Sequence, residues 1–125
     1  MSRILILGAG FGGVRCALDL EKNSRLTMVG QAKDLEIIIV DKNDYHTFQP
    51  ALYEVASAFY VGDNLQKQKF NFQKIKRSAA VPLGEIFKNR NVKFIQAEVK
   101  GVDVNARSVS FTSGEVMNFD YLVLA

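Results

Sequence analysis

The chain holds one cysteine, Cys16, and one histidine, His46, in 125 residues, and no apolar run approaches the roughly 18 residues that cross a bilayer as a helix. A lone cysteine cannot form an internal disulfide, and an opening on a strand-like run rather than a charged-then-apolar leader argues against secretion. A reducing, cytoplasmic compartment is therefore the expectation. There is no internal repeat, no low-complexity tract and no set of residues that reads as a metal site. The net charge of +3 and pI near 9.1 are mildly basic. They are compatible with an acidic partner but do not call for nucleic acid.

What is present is concentrated near the start. Gly8-Ala9-Gly10-Phe11-Gly12-Gly13 follows the apolar run Ile4 to Leu7 and precedes a helical pattern from Phe11 to Lys22. A run that is apolar at every position suits a parallel strand covered on both faces. The glycines then have separate tasks. Gly8 lets the chain turn sharply off the strand, Gly10 lets backbone approach a pyrophosphate, and Gly13 lets the helix pack closely on the sheet. The helix start adds free N–H groups and a positive dipole end, so the stretch reads as a dinucleotide phosphate cradle. A second buried strand, Ile37 to Val40, ends in Asp41, whose carboxylate can accept hydrogen bonds from ribose hydroxyls and would repel a 2′-phosphate.

Asn23 to Asp34, between the first helix and the second strand, reads as a helix end plus an insertion; Asp41 lies 28 residues beyond Gly13, against about 20 in the usual fingerprint. Lys42 to Pro50 reads as a loop, and Ala51 to Phe59 as a short helix. Asp63 to Ser78 carries five basic residues against one acidic residue. Pro82 is expected in the first turn of a helix running to about Asn89. That helix leads to a third parallel strand at Val92 to Ala97. Val99 to Val104, Ser108 to Thr112 and Glu115 to Phe119 form a three-stranded antiparallel meander with turns at Asn105-Ala106 and Ser113-Gly114. Tyr121 to Ala125 is the next central strand. A chain that stops on a buried strand is expected to be a fragment of one domain, and the exposed strand edge invites pairing with a second copy.

Three blocks together, ILILGAGFGG, VDKNDYHTFQPALYEVASA and NFDYLVLA, resemble the N-terminal FAD-binding segment of type II NADH:quinone oxidoreductases, in the FAD-dependent pyridine nucleotide-disulfide oxidoreductase superfamily. The middle block is the most specific of the three. The resemblance implies an α/β, Rossmann-like three-layer FAD/NAD(P)-binding fold, incomplete at its C-terminus. It also implies an FAD cofactor, NADH and quinone as reactants, and peripheral contact with the cytoplasmic face of the membrane in the full-length enzyme. In that family an NADH-binding domain and a membrane-binding region follow, so this segment alone is expected to be inactive. By the same resemblance, Gly8, Gly10, Phe11, Gly12 and Gly13 meet the FAD pyrophosphate, and Asp41 holds the adenosine ribose. Lys42 and Val99 flank the adenine, Phe48, Gln49 and Pro50 lie beside the flavin, and Ala125 opens the motif that closes over the cofactor. The departures are the lengthened loop before Asp41 and the long stretch Phe59 to Ala80.

Two other functions stay open. One is a sulfide:quinone or related reductase, which needs cysteines that this segment lacks. The other is a non-enzymatic nucleotide-binding module. His46 could act as an acid or base, but orienting a loop by hydrogen bonding is the preferred reading. Cys16 reads as core packing rather than as a redox thiol. The Lys67 to Arg77 cluster reads as a solvated basic loop, with an anionic membrane as the sharper alternative.

Overall fold

The computed structural model describes residues 2–27, 35–47 and 80–125. Strand β1 (Ser2–Leu7) runs into helix α1 (Phe11–Thr27), which returns to strand β2 (Leu35–Asp41). β2 lies parallel to β1, with Ile4 beside Ile37 and Leu7 beside Val40. Two further strands, β5 (Lys93–Gln96) and β9 (Tyr121–Leu124), join on either side to give a four-stranded parallel sheet in the order β5-β2-β1-β9. The α/β class and the parallel sheet are those the sequence predicts; the strand order is a finding of the structure.

The unbroken apolar runs have a direct cause. Alternate side chains of a strand point to opposite faces, and here both faces are covered. Ile6, Ile37 and Ile39 pack with Ala17 of α1 and with Leu83, Phe87 and Val92 on one side. Leu5, Leu7, Ile38 and Val40 pack with Val109, Phe111 and Phe119 on the other. Each fully buried aliphatic side chain contributes about 1.5–3 kcal/mol. Cys16 is half-buried and packs against the first cluster, as a small apolar residue would.

The second face is covered by the meander, strands β6 (Val99–Asp103), β7 (Ser108–Phe111) and β8 (Val116–Asn118), paired antiparallel in that order. Gly114 takes φ +92° in the second turn, as a glycine there should. In the first turn the positive φ falls on Arg107 rather than on Asn105. The meander is tied back to the sheet at Asp120. Its N–H donates to Arg3 O, and its carboxylate accepts from Arg3 N at 2.7 Å.

Three expectations are corrected. Helix α1 continues to Thr27 instead of ending at Lys22, with Glu21 and Arg25 ion-paired one turn apart along its last turns. Within the expected loop Lys42 to Pro50, Tyr45–Thr47 forms strand β3, paired antiparallel with strand β4 (Ala80–Pro82). Pro82 is not the first helical residue. At φ −58° and ψ 129° it ends β4 and caps a single-turn helix, α2 (Leu83–Ile86), which stops before Phe87. Leu83 N donates to Asp44 O, so α2 starts against the loop after β2. The expected helix Ala51 to Phe59 and the basic segment Lys67 to Arg77 lie outside the described residues.

Candidate functional site

The turn from β1 into α1 sits outside the carboxyl ends of the parallel strands, where open α/β sheets bind ligands. Its backbone is pinned step by step. Gly8 N donates to Val40 O at 2.8 Å, and Gly8 itself has φ +104°, a conformation side-chain-bearing residues rarely adopt. A Cβ on Gly13 would fall 1.8 Å from Gly8 O, so α1 crosses the loop at a distance only glycine permits. A Cβ on Gly10 or Gly12 would meet nothing within 4 Å. These two glycines therefore leave open space beside the helix start. That is what a cradle for a pyrophosphate requires. Gly13 is buried against the loop's own backbone, so its task is packing, while Gly10, Phe11 and Gly12 are exposed.

Asp41, at the end of β2, turns toward this loop. Its Oδ2 accepts from Ala9 N at 2.7 Å and its Oδ1 from Asn43 N at 2.8 Å. A carboxylate offers about four lone-pair directions. Two are used by the protein, which leaves acceptor capacity for a vicinal diol. Beside it lies a crevice of about 290 Å³ lined by Gly8, Val40, Asp41, Lys42, Ala97, Glu98 and Val99. Gln96 braces this crevice by donating from Nε2 to Lys42 O, and Ala97 N donates to Asp41 O. Ala125 closes the other side of the turn, its N–H donating to Leu7 O and its carbonyl lying over Gly8.

The structure thus gathers Gly8, Gly10, Phe11, Gly12, Gly13, Asp41, Lys42, Val99 and Ala125 at one end of the sheet. Phe48, Gln49 and Pro50 lie outside the described residues. The donors fit a dinucleotide: open glycine backbone and a helix start for the diphosphate, and a carboxylate beside a crevice for the nucleoside.

The structure gives the loop-orienting hydrogen bond expected of His46 its partner, and it adds Glu21, which the sequence reading missed. His46 Nδ1 lies 3.0 Å from Ala9 O, and its ring meets Phe11 edge to face, the centroids 4.9 Å apart. Glu21 is 1% exposed yet charged; it accepts from the guanidinium groups of Arg25 and Arg90 and, at 3.0 Å, from Asn91 N. The Asn91 N–H bond holds its carboxyl below the ordinary range; burial opposes this, and the two arginines reinforce it. Glu21 lies far from the glycine loop and ties the end of α1 to the chain entering β5. A signal for it did exist, because Gly13, Ala17 and Glu21 form one buried stripe at four-residue spacing.

Comparison with known proteins gives consistent results. The family model described as pyridine nucleotide-disulphide oxidoreductase matches residues 2–125. A type II NADH:quinone oxidoreductase of Staphylococcus aureus is 28% identical over 123 residues, which is 98% of this chain and 25% of the relative. Among solved structures, the sulfide:quinone oxidoreductase of Aquifex aeolicus is 26% identical with a TM-score of 0.69, covering 99% of this chain and 24% of that one. NDH2 from Plasmodium falciparum, solved with NADH, shares the fold at a TM-score of 0.61 and 18% identity, with coverage of 98% and 22%. The chain spans about a quarter of the length of these proteins.

Proposed function

The chain belongs to the pyridine nucleotide-disulphide oxidoreductase family, and from that premise we propose that it forms the FAD-binding part of a flavoprotein that takes a hydride from NADH and delivers electrons to a membrane quinone. The observation that carries this reading is the pinned glycine turn with Asp41 directed onto it from the neighbouring strand. Likeness to type II NADH:quinone oxidoreductases along nearly the whole chain supports the choice of reaction.

When bound, FAD supplies the two-electron carrier chemistry, and the protein supplies binding and orientation. The open faces of Gly10 and Gly12 and the start of α1 receive the pyrophosphate, where the N–H groups of a helix start and the helix dipole favour negative charge. Asp41 takes the ribose hydroxyls, and Lys42 and Val99 bound the adenine. Phe48, Gln49 and Pro50 are assigned to the flavin side, and Ala125 to closing over the cofactor. No residue described here is assigned a proton-transfer role. In the full-length protein, an NADH-binding domain and a peripheral membrane contact on the cytoplasmic face belong to the same proposal.

The test is purification of the full-length protein carrying this chain. Flavin absorbance together with NADH oxidation dependent on a quinone is the expected result, while the 125 residues alone show no turnover. Tight NAD binding without flavin would replace the reading with that of a nucleotide-binding module. A sulfide:quinone reductase is the second reading, favoured by the Aquifex aeolicus likeness. Sulfide-dependent rather than NADH-dependent quinone reduction would select it. Cys16, packed in the core, supplies none of the thiols it needs.

A further inference from the structure

Every peptide through the glycine turn is held at one end or the other. Gly8 N bonds Val40 O, Ala9 N bonds the Asp41 carboxylate, and Gly10 O accepts the first helical bond from Val14 N at 3.0 Å. Between these fixed points lies the Ala9–Gly10 peptide. Its N–H makes no hydrogen bond among the described residues, and its carbonyl is held by His46 Nδ1 alone. A carbonyl oxygen only accepts, so Nδ1 carries the proton in this contact.

We propose that His46 is a positioning residue that locks the Ala9–Gly10 peptide plane, so that Gly10 N–H faces the diphosphate of the bound dinucleotide. The proposal rests on the reading of this turn as a dinucleotide site. In a planar trans peptide the C=O and N–H point in opposite directions. Holding Ala9 O against His46 therefore turns Gly10 N–H away from the imidazole and toward the open side of the loop. Glycine tolerates either sign of φ, so without the imidazole this plane can rotate about Ala9 ψ and Gly10 φ at little cost. The rotated state presents a carbonyl oxygen to a dianion instead of an amide hydrogen. Repulsion then replaces a charge-assisted hydrogen bond.

His46 is suited to the task by where it stands. It occupies the middle of β3, opposite Val81 in the β3–β4 pair, and its ring packs edge to face against Phe11, while Asp41 holds the N–H of the same Ala9 whose carbonyl His46 holds. Both the Nδ1–H neutral form and the imidazolium donate from Nδ1, so protonation leaves the lock in place.

The experiment uses the full-length protein and three probes, FAD, ADP and adenosine, with His46→Asn, His46→Gln and His46→Leu variants. An asparagine amide nitrogen stands in for Nδ1, and a glutamine one reaches instead toward the Nε2 position. The expected result is roughly tenfold weaker ADP and FAD binding in His46→Leu and His46→Gln. Adenosine affinity is unchanged, and His46→Asn restores most of the loss. Melting temperature without ligand identifies any variant that has lost its fold, and the comparison of the Asn and Gln variants then decides. Equal losses for ADP and adenosine, or no difference between Asn and Gln, overturn the lock. If the wild type binds ADP but not FAD, the flavoprotein reading fails while the lock remains under test with ADP. If the wild type binds neither, both fall.

Discussion

Three glycine-to-alanine variants separate what the fold needs from what the ligand needs. At Gly13 the added methyl would start 1.8 Å from Gly8 O and 2.9 Å from Gly8 C, both backbone atoms, whereas real Cβ contacts essentially never fall under 3.0 Å. Neither partner can rotate away as a side chain would, so helix α1 must lift off the turn by about an ångström, taking Ala17 with it from the cluster around Ile6 and Ile39. Overpacking of this kind costs about 3 kcal/mol, equivalent to a fall of about 10 °C in melting temperature for a domain of this size. At Gly10 and Gly12 the same methyl meets nothing within 4 Å and the backbone φ is ordinary. Gly10→Ala should leave the ligand-free melting temperature within a degree or two, and Gly12→Ala, inside α1, should raise it slightly. Binding reverses the ranking, because the methyl of Gly10→Ala stands in the space assigned to the diphosphate and is expected to weaken FAD or ADP binding at least tenfold. Thermal melting and ligand titration on the same samples make the comparison. A Gly13→Ala protein that melts with the wild type would refute the packing argument. A Gly10→Ala protein with full affinity would refute the placement of the diphosphate.

Other expectations follow from single contacts. Glu21→Gln removes a buried charge from two guanidinium groups that solvent still reaches, so its cost is expected near the low end for such pairs, about 2 kcal/mol at neutral pH. Because the folded pKa of Glu21 lies below its ordinary value of 4.5, its contribution is complete above that pH and fades as pH falls through the folded value. A wild-type advantage that is the same at pH 3 as at pH 7 would contradict this. Arg3→Ala loses the 2.7 Å pair with Glu36 and a bond to Asn118 O at a half-exposed site, and denaturant unfolding should register less than about 1 kcal/mol. Asp41→Asn offers one acceptor oxygen where two backbone N–H groups now bond, so it should cost about 1–2 kcal/mol in stability. It should also narrow the preference for ADP over 2′-phosphorylated ADP, since the carboxylate that repels the extra phosphate is gone. A ratio of affinities unchanged by the substitution would place the ribose elsewhere.

The parts of this molecule that could be read beforehand are those whose cause is local. Ile4 to Leu7 and Ile37 to Val40 are apolar at every position because both faces of β1 and β2 are covered, and that pattern needs no knowledge of the partners. The tasks of Gly8 and Gly13 follow from a strand turning into a helix that lies on the same sheet. Strands β3 and β4 could not be read in this way. Each has three residues, Tyr45 and Val81 are exposed, and the two segments are separated by 32 residues, so neither alternation nor a turn signal marks the pair. The longer α1 was hidden for a related reason, because Asn23 and Ser24 look like a helix end while the Glu21 to Arg25 pair and the anchor to Asn91 act across the boundary.

The contacts that shape the candidate site belong to this second class. Asp41 reaches Ala9 N across 32 residues and His46 reaches Ala9 O across 37, each through one hydrogen bond. A glycine fingerprint announces a turn that can open toward a phosphate, but glycine's freedom also permits turns that point the wrong group at it. The direction of the amides is set by side chains brought from β2 and β3. Their identity and general task are visible in the sequence, and their common partner, Ala9, only in the fold. On the proposed reading, the selectivity of the turn for a diphosphate depends on two residues beyond the glycines, Asp41 and His46, and His46 is the one whose contribution can be removed without touching the proposed ribose contact.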